Sequence, residues 1–160
     1  MKYYSQLRSQ FHLAFKDSKI PYQRFDFPFI WAKSDNTGII PDAQRGPRQI
    51  YETCMLFSIG DRKIVKPISN LISHPANKAH AKHLSEKPLG VMTYLLSMYV
   101  DEHTDFADFC CGAGSSVVAA ENLGARSVFG LEKDPTHLQT AQEALTATRS
   151  HNALGDLNLG

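Results

Sequence analysis

The sequence contains no apolar run that approaches the roughly 20 residues a helix needs to span a bilayer. Its first residues (Met1 to Gln6) also lack the apolar core of a secretory signal. Internal repeats and low-complexity tracts are absent too. These absences argue against a membrane, exported or repeat protein and predict a cytoplasmic one.

Cysteine is scarce. The chain has three cysteines, two of them adjacent (Cys110 and Cys111), and no C-x-x-C pair. This pattern argues against a disulfide scaffold and against a cysteine zinc site. His74, His80 and His83 are spaced by six and three residues, which is poor spacing for zinc. We therefore predict no metal.

What the chain does have is the composition of a folded soluble protein. Its 160 residues are 42% hydrophobic and 21% charged, which predicts one globular domain of ordinary size. Residues 1–80 carry 12 Lys and Arg against 6 Asp and Glu, a net of +6, while residues 81–160 carry 5 against 10, a net of −5. The basic half is suited to an anionic partner such as nucleic acid, or is ordinary solvated surface.

The two halves also differ in their local patterns. In the first half we predict a helix over 4–17, strands over 24–33 and 50–59, and long loops over 34–48 and 61–84. From Ser85 the pattern is regular: a helix with Pro88 in its first turn, a strand over 105–110, a helix over 115–123, a strand over 127–132, and a helix from 134 to about 148. Alternating helices and strands indicate an α/β fold with a parallel sheet.

The most informative segment joins the strand at 105–110 to the next helix. Its glycine turn contains Gly112 and Gly114, whose missing side chains let a ligand approach the backbone at a helix N-terminus. Glu132 follows Gly112 by twenty residues, at the end of the next strand, where an acid can accept hydrogen bonds from ribose hydroxyls.

Two classes of cofactor share this layout, and one acid favours one of them. Asp108 precedes the turn, where it would repel a pyrophosphate and attract a cation. Val117 also holds the place of the third small residue in the dinucleotide fingerprint. S-adenosylmethionine carries a sulfonium, an ammonium and no phosphate, so this layout favours it. The alternative is a glycine turn that only packs a helix on a strand.

Five short segments, taken in order, resemble amino-directed DNA methyltransferases, which methylate the exocyclic amine of adenine or cytosine. The segments are F-I-W-A-K at 29–33, Y-E-T at 51–53, H-L-S-E-K-P at 83–88, D-F-C-C-G-A-G-S at 108–115 and G-L-E at 130–132. Their order is the permuted one found in many of these enzymes, and in phage enzymes especially. The resemblance covers about residues 5 to 148 and implies a Rossmann-like sheet, S-adenosylmethionine as cofactor and double-stranded DNA as substrate, in a bacterial host cell or encoded by a phage.

The resemblance also implies site residues. Asp108, Gly112 and Gly114 would shape a methionine pocket, and Glu132 would hold the ribose. The other cofactor-contacting residues implied by the matching segments are Lys87, Pro88 and Cys110. The chain departs from the family at Phe109, where proline is usual, and at Ala113, where serine is frequent.

The family's catalytic motif is missing from this sequence. That motif is an acid, Asn or Ser followed by Pro-Pro and an aromatic residue, and it positions the target amine. None of the eight prolines here are adjacent. The nearest mimic, at 26–29 (D-F-P-F), is better interpreted as part of a strand, so the catalytic residues stay unknown.

The absent motif has a structural consequence, because in the family it lies on a central strand beside the cofactor strand. Without it, the strand at 105–110 must pair directly with the one at 24–33 or leave backbone groups unpaired, at about 1–3 kcal/mol each when buried. We therefore expect an incomplete sheet, completed by a separate chain or by self-association. The alternative is an inactive methyltransferase remnant that binds cofactor or DNA.

The remaining candidates divide the chain by role. We assign 1–84 to the target side, 85–150 to cofactor binding and 151–160 to a tail. Phosphate contacts, or plain solvated charge, are assigned to five basic side chains in the two long loops: Arg45, Arg48, Arg62, Lys63 and Lys66. We expect Trp31 in the core instead of stacking on a base, and the Cys110 and Cys111 pair packed below the glycine turn instead of acting as nucleophiles.

Overall fold

The computed structural model describes residues 22–24, 27–40, 42, 44–76 and 86–157. The predicted helix over 4–17 lies outside these residues, as do Asp26 of the D-F-P-F segment, His80, and residues 83–85 of the H-L-S-E-K-P segment.

Seven strands and three helices make up the described part of the chain. The strands are β1 (Tyr22–Arg24), β2 (Phe29–Lys33), β3 (Tyr51–Cys54), β4 (Phe57–Ile59), β5 (Leu71–His74), β6 (Asp105–Asp108) and β7 (Ser127–Gly130). The helices are α1 (Leu89–Leu96), α2 (Ser115–Asn122) and α3 (Pro135–Leu157). In the described part of the chain, no helix is both long and apolar enough to cross a membrane.

The chain divides into two compact units where its length predicted one domain. The first unit comprises Met1–Pro28 and Met55–Arg62, and within it β1 pairs antiparallel with β4, Tyr22 lying opposite Ile59. The second unit comprises Phe29–Cys54 and Lys63–Gly160. The unit boundaries fall inside both strands predicted for the first half, so the predictions of single strands over 24–33 and 50–59 are wrong. Pro28 explains the first break, because proline cannot donate to a strand ladder.

The second unit contains two sheets. In one, β2 lies between β3, to which it is antiparallel, and β5, to which it is parallel. In the other, β6 and β7 form a parallel pair in which Phe106 lies opposite Val128. The strand β5 was not predicted from the sequence, which was interpreted as a loop over 61–84. The pairing of 105–110 with 24–33 that a closed sheet would need is not found between the described residues.

Helices cover one side of these strands. Trp31 packs with Val91 of α1 and with Ala76, and its indole N–H donates to the His74 carbonyl at 2.8 Å, so Trp31 is a core residue as expected. A second core joins Cys111, Val117 of α2 and Ala141 of α3.

Burial alternates along the strands, as it does when only one face of a sheet is covered. In β3, β5, β6 and β7, every second residue is exposed and the residues between them are half-buried. Large apolar side chains stand on the uncovered positions: Tyr51, Leu71 and Phe129 are 46%, 52% and 53% exposed. Parallel strands are usually covered on both faces, so the described residues form only part of the expected layers.

The second half has the predicted order of helices and strands, but its two strands end two residues earlier than predicted, at Asp108 and Gly130, and its last helix is longer. The helix α2 ends at Asn122 and is followed by Gly124 in the left-handed region, with φ of +80°. The helix α3 continues to Leu157, beyond the predicted end at about 148 and through most of the segment assigned as a tail. No glycine or proline interrupts residues 136–154, which explains why the helix continues.

Candidate functional site

The glycine turn lies between the carboxyl end of β6 and the start of α2. Gly112 and Gly114 both have positive φ, +54° and +93°, a conformation that side chains disfavour. A Cβ on Gly114 would lie 2.8 Å from the Ala141 Cβ of α3, whereas a Cβ on Gly112 would meet nothing within 4 Å. Gly114 therefore allows α2 and α3 to pack closely, and Gly112 leaves open space beside the turn.

Asp108 is fixed by the turn that follows it. Its Oδ1 accepts a hydrogen bond from the Cys110 N–H at 2.9 Å, and its Oδ2 accepts one from the Ser116 hydroxyl at 2.5 Å. Ser116 is only 4% exposed, so its hydroxyl is a buried hydrogen-bond donor to the carboxylate. The two bonds keep the negative charge at the mouth of the turn.

Glu132 lies two residues after β7, on the side of the turn opposite Asp108's own strand. Its Oε2 accepts the Gly112 N–H and its Oε1 accepts the Asp134 N–H, both at 2.9 Å. The Asp134 N–H, and then the Gly112 N–H, lower the pKa of Glu132 below its usual 4.5. Each oxygen keeps a second lone pair, so an ionised Glu132 can accept hydrogen bonds from two hydroxyl groups.

A cavity of about 250 Å³ opens at this turn. It is lined by Glu86, Lys87, Met92, Asp108, Cys110, Cys111, Gly112, Ala113, Ser115, Ser116 and Glu132. Three carboxylates and one ammonium give the lining a negative formal charge, which favours a cationic ligand over a pyrophosphate. The volume is slightly below the roughly 300–1,000 Å³ of most small-molecule sites.

Lys87 connects this cavity to the sheet of β2 and β3. Its Nζ lies 3.1 Å from Glu52 Oε2, while Lys33 Nζ lies 2.8 Å from Glu52 Oε1. Burial alone would raise the pKa of Glu52, but the two ammonium groups outweigh burial and lower it. An ionised Glu52 thus holds Lys87 at the edge of the cavity.

The structure brings together most of the site residues predicted from the sequence. Lys87, Asp108, Cys110, Gly112 and Glu132 all line the cavity. Pro88 precedes the first residue of α1 and Gly114 precedes the first of α2, and neither lines the cavity. Gly114 packs against Ala141, and its predicted part in shaping the methionine pocket stays a prediction.

Sequence reasoning gave no site role to five lining residues: Met92, Cys111, Ala113, Ser115 and Ser116. Met92 was assigned to an apolar helical stripe, and its position on that stripe gives no sign that it also faces a cavity. A usable signal existed for Ser116, since a serine in the first turn of a helix after a strand-end acid can reach back to that acid.

The two adjacent cysteines have different environments, so the expectation that both pack below the turn is wrong. Cys111 is 7% exposed and belongs to the core, whereas Cys110 is exposed at the cavity. Burial, followed by the charges of Asp108 and Glu132, raises the pKa of the Cys111 thiol. Cys111 therefore stays a neutral packing residue.

All five basic side chains assigned to DNA are exposed: Arg45, Arg48, Arg62, Lys63 and Lys66. Arg45 forms an ion pair with Asp42 at 3.0 Å. Exposure is compatible with phosphate contact and equally with solvated charge, so their role stays a prediction.

Comparison with known proteins gives structural relatives only. No family model and no curated protein sequence matches this chain. Among solved structures, the complex of M1.HpyAVI with SAM superimposes with a TM-score of 0.65 at 17% identity, over 78% of this chain and 63% of that one. The PvuII DNA methyltransferase, described as cytosine-N4-specific, gives 0.65 at 12% identity, over 87% and 56%.

A third structure is TTHA0409 of Thermus thermophilus, described as a DNA modification methylase and complexed with S-adenosyl-L-methionine. It gives a TM-score of 0.55 at 16% identity, over 89% of this chain and 60% of that one. The chain therefore spans roughly three fifths of the length of these three proteins. At such low identities the likeness establishes the fold, and the predicted fold class is confirmed: the chain has the Rossmann-like α/β fold of S-adenosylmethionine-dependent methyltransferases.

Proposed function

We propose that this chain is the cofactor-binding part of an S-adenosylmethionine-dependent DNA methyltransferase that acts on an exocyclic amine of adenine or cytosine. The observation that carries the proposal is the acidic cavity at the glycine turn, where Asp108 and Glu132 are both fixed by backbone N–H groups. The three structural relatives are described as DNA methyltransferases or bind this cofactor, which supports the same conclusion.

The residues present fit the cofactor group by group. Asp108 would attract the ammonium of the methionine portion, and Lys87, held by Glu52 at 3.1 Å, would pair with its carboxylate. Glu132 would accept hydrogen bonds from the ribose hydroxyls through the lone pairs left free by Gly112 and Asp134. When bound, the cofactor supplies an electrophilic methyl group.

The chain's contribution to catalysis is to bind and orient. An exocyclic amine needs no protein nucleophile if its lone pair is aligned with the methyl group, so Cys110 has no assigned catalytic role. We propose that the aligning motif, an acid, Asn or Ser with Pro-Pro and an aromatic residue, is supplied by polypeptide outside these 160 residues, from a separate chain or by self-association. In the permuted order that the resemblance implies, this motif would come before the segments found here.

Double-stranded DNA is the proposed substrate, in the cytoplasm of a bacterial host or of a phage-infected cell. The basic residues Arg45, Arg48, Arg62, Lys63 and Lys66 are proposed to contact phosphates, where a protein loses affinity steeply as salt is added. The absence of adjacent prolines favours a second candidate function: an inactive remnant that binds cofactor or DNA and transfers no methyl group.

A methyl-transfer assay separates these candidates. We expect no transfer of a labelled methyl group to duplex DNA by the chain alone, because its sequence contains no Pro-Pro motif to align the amine. Transfer should appear when the polypeptide encoded immediately upstream is added. Transfer to protein or small molecules but not to DNA, or no transfer under either condition, would exclude the proposed activity; in the second case, retained cofactor binding would identify the remnant.

A further inference from the structure

We infer that Ser116 is a positioning residue for the cavity at the glycine turn: by holding the Asp108 carboxylate in one orientation, it gives the cavity a preference for ligands that carry an α-amino group. The inference deepens the proposed function and rests on it for the identity of that ligand, S-adenosylmethionine. The positioning itself follows from burial and hydrogen-bond geometry in the second unit.

The Ser116 hydroxyl has an unusual partner for a serine in the first turn of a helix. Such hydroxyls commonly bond to backbone groups of their own segment. Ser116 instead donates to Asp108 Oδ2 at 2.5 Å, across eight positions of sequence and from a different element. It does not cap α2, whose N-cap is Gly114 and which no described side chain caps. The hydroxyl proton is therefore given to the carboxylate of β6.

Burial makes this hydrogen bond costly to lose. Ser116 is only 4% exposed, so water cannot readily replace Asp108 as the acceptor. A buried donor that loses its acceptor bears the full cost of its desolvation, and hydrogen bonds to charged groups are stronger than neutral ones. The pair should therefore persist when the cavity is empty, and Asp108 is oriented before a ligand binds.

The two donors to Asp108 belong to different parts of the second unit. The Cys110 N–H, which bonds to Oδ1 at 2.9 Å, lies within the turn, and Cys110 is exposed. Ser116 begins a buried stretch of α2 that continues through Ala120. Ser116 thus ties the carboxylate to the packed helix, whereas Cys110 ties it only to the turn. With one bond on each oxygen, the plane of the carboxylate is fixed.

A fixed carboxylate favours one class of ligand. Asp108 lines the cavity, and each of its oxygens keeps lone-pair capacity after accepting one hydrogen bond. An ammonium group is attracted to this charge and donates to such oxygens, and a carboxylate that is already oriented loses little rotamer freedom when the ligand binds. Ligands with an α-amino group gain from the orientation, and ligands without one do not.

The affinities of three ligands for Ser116→Ala test the inference by calorimetric titration. Binding of S-adenosylmethionine and of S-adenosylhomocysteine, which both carry the amino group, should weaken about three- to tenfold. Binding of 5′-methylthioadenosine, which lacks the amino acid portion, should change by less than about twofold. Equal losses for all three ligands would show that Ser116 only supports the turn. A loss for S-adenosylmethionine alone would place its sulfonium beside Asp108. Either result would overturn the inference.

Two further variants serve as controls. Ser127→Ala removes an equivalent bond, from the Ser127 hydroxyl to Asp105 Oδ1 at 2.7 Å, and should leave every affinity within about twofold. In the Asp108→Ala chain, adding Ser116→Ala should lower affinity for S-adenosylmethionine by less than about twofold, because the bond that it removes is already lost. Additive losses in this double variant would contradict a role that acts through Asp108.

A measurement without ligand separates the inference from the proposed function. Three-bond NMR couplings of Asp108 report its χ1 rotamer in the free chain, and we expect one rotamer in the unchanged chain and averaging in Ser116→Ala. Averaging in the unchanged chain, which decides the matter if Ser116→Ala fails to fold, or a single rotamer in Ser116→Ala, would overturn the inference. If the unchanged chain binds no S-adenosylmethionine, the proposed function is contradicted, and these couplings still decide whether Ser116 positions Asp108.

Discussion

Replacing Asp108 by alanine is expected to weaken binding of S-adenosylmethionine at least tenfold and up to about 150-fold. A hydrogen bond to a charged group contributes about 1.5–3 kcal/mol, and each 1.4 kcal/mol is a factor of ten in affinity. The change removes a negative charge from the cavity and also strands the Ser116 hydroxyl, which is 4% exposed. Calorimetric titration of the variant measures the effect.

Asp105→Ala is the matched control for Asp108. Both residues are aspartates of β6, but Asp105 binds Arg126 and Ser127, and Arg126 lowers the pKa of Asp105 to about 2. Its loss should leave cofactor affinity within about twofold, as for a site away from the ligand. Equal losses of affinity in the two variants, or unchanged affinity in Asp108→Ala, would contradict the assignment of the cavity.

Gly114→Ala is expected to lower the free energy of unfolding by about 2–5 kcal/mol. The left-handed backbone costs a side chain about 1–2 kcal/mol, and overpacking adds about 1–3 kcal/mol. At φ of +93°, the added Cβ would lie 2.8 Å from the Ala141 Cβ and 2.9 Å from the Ala141 Cα. Because the second contact is with backbone, α2 and α3 must move apart.

Comparison of Gly114→Ala with Gly124→Ala by chemical denaturation separates the cost of the left-handed backbone from the cost of overpacking. Gly124 has φ of +80° with nothing within 4 Å of its added Cβ, so only the backbone cost of about 1–2 kcal/mol applies. A larger loss for Gly114→Ala than for Gly124→Ala is the expected result. Equal losses would show that the close approach of α2 and α3 does not determine the need for glycine at 114.

The second half of the chain could be predicted from its sequence because local signals determine it. The strand β6, the turn at Gly112 and Gly114, and the helix α2 follow one another with short connections and clear boundaries. The position of the site could be predicted for the same reason, since Asp108 and Glu132 lie at or just beyond the carboxyl ends of two neighbouring parallel strands. Such placement is fixed by the α/β arrangement itself.

The first half could not be predicted in the same way. The stretches 24–33 and 50–59 each contain two strands that join different sheets, and which sheet a strand joins depends on partners far away in sequence. The strand β5 has its register set by pairing with β2, Ile72 lying opposite Trp31. Tertiary pairing of this kind leaves a weak trace in local sequence.

Contacts between distant residues also explain the part of the site that the sequence did not reveal. Glu52 holds Lys87 across 35 positions of sequence, and Met92 faces a cavity as well as the core side of α1. The different environments of Cys110 and Cys111 follow from the turn geometry, in which the Cys111 N–H donates to the Leu131 carbonyl at 2.9 Å.

The most direct measurement is a crystal structure of the chain soaked with S-adenosylmethionine and NAD together. We predict that the methyl donor occupies the turn, with its ribose hydroxyls on Glu132 and its amino group beside Asp108. A dinucleotide at Gly112, or a turn that takes up neither ligand, would contradict the claim that this acidic turn binds a cationic cofactor.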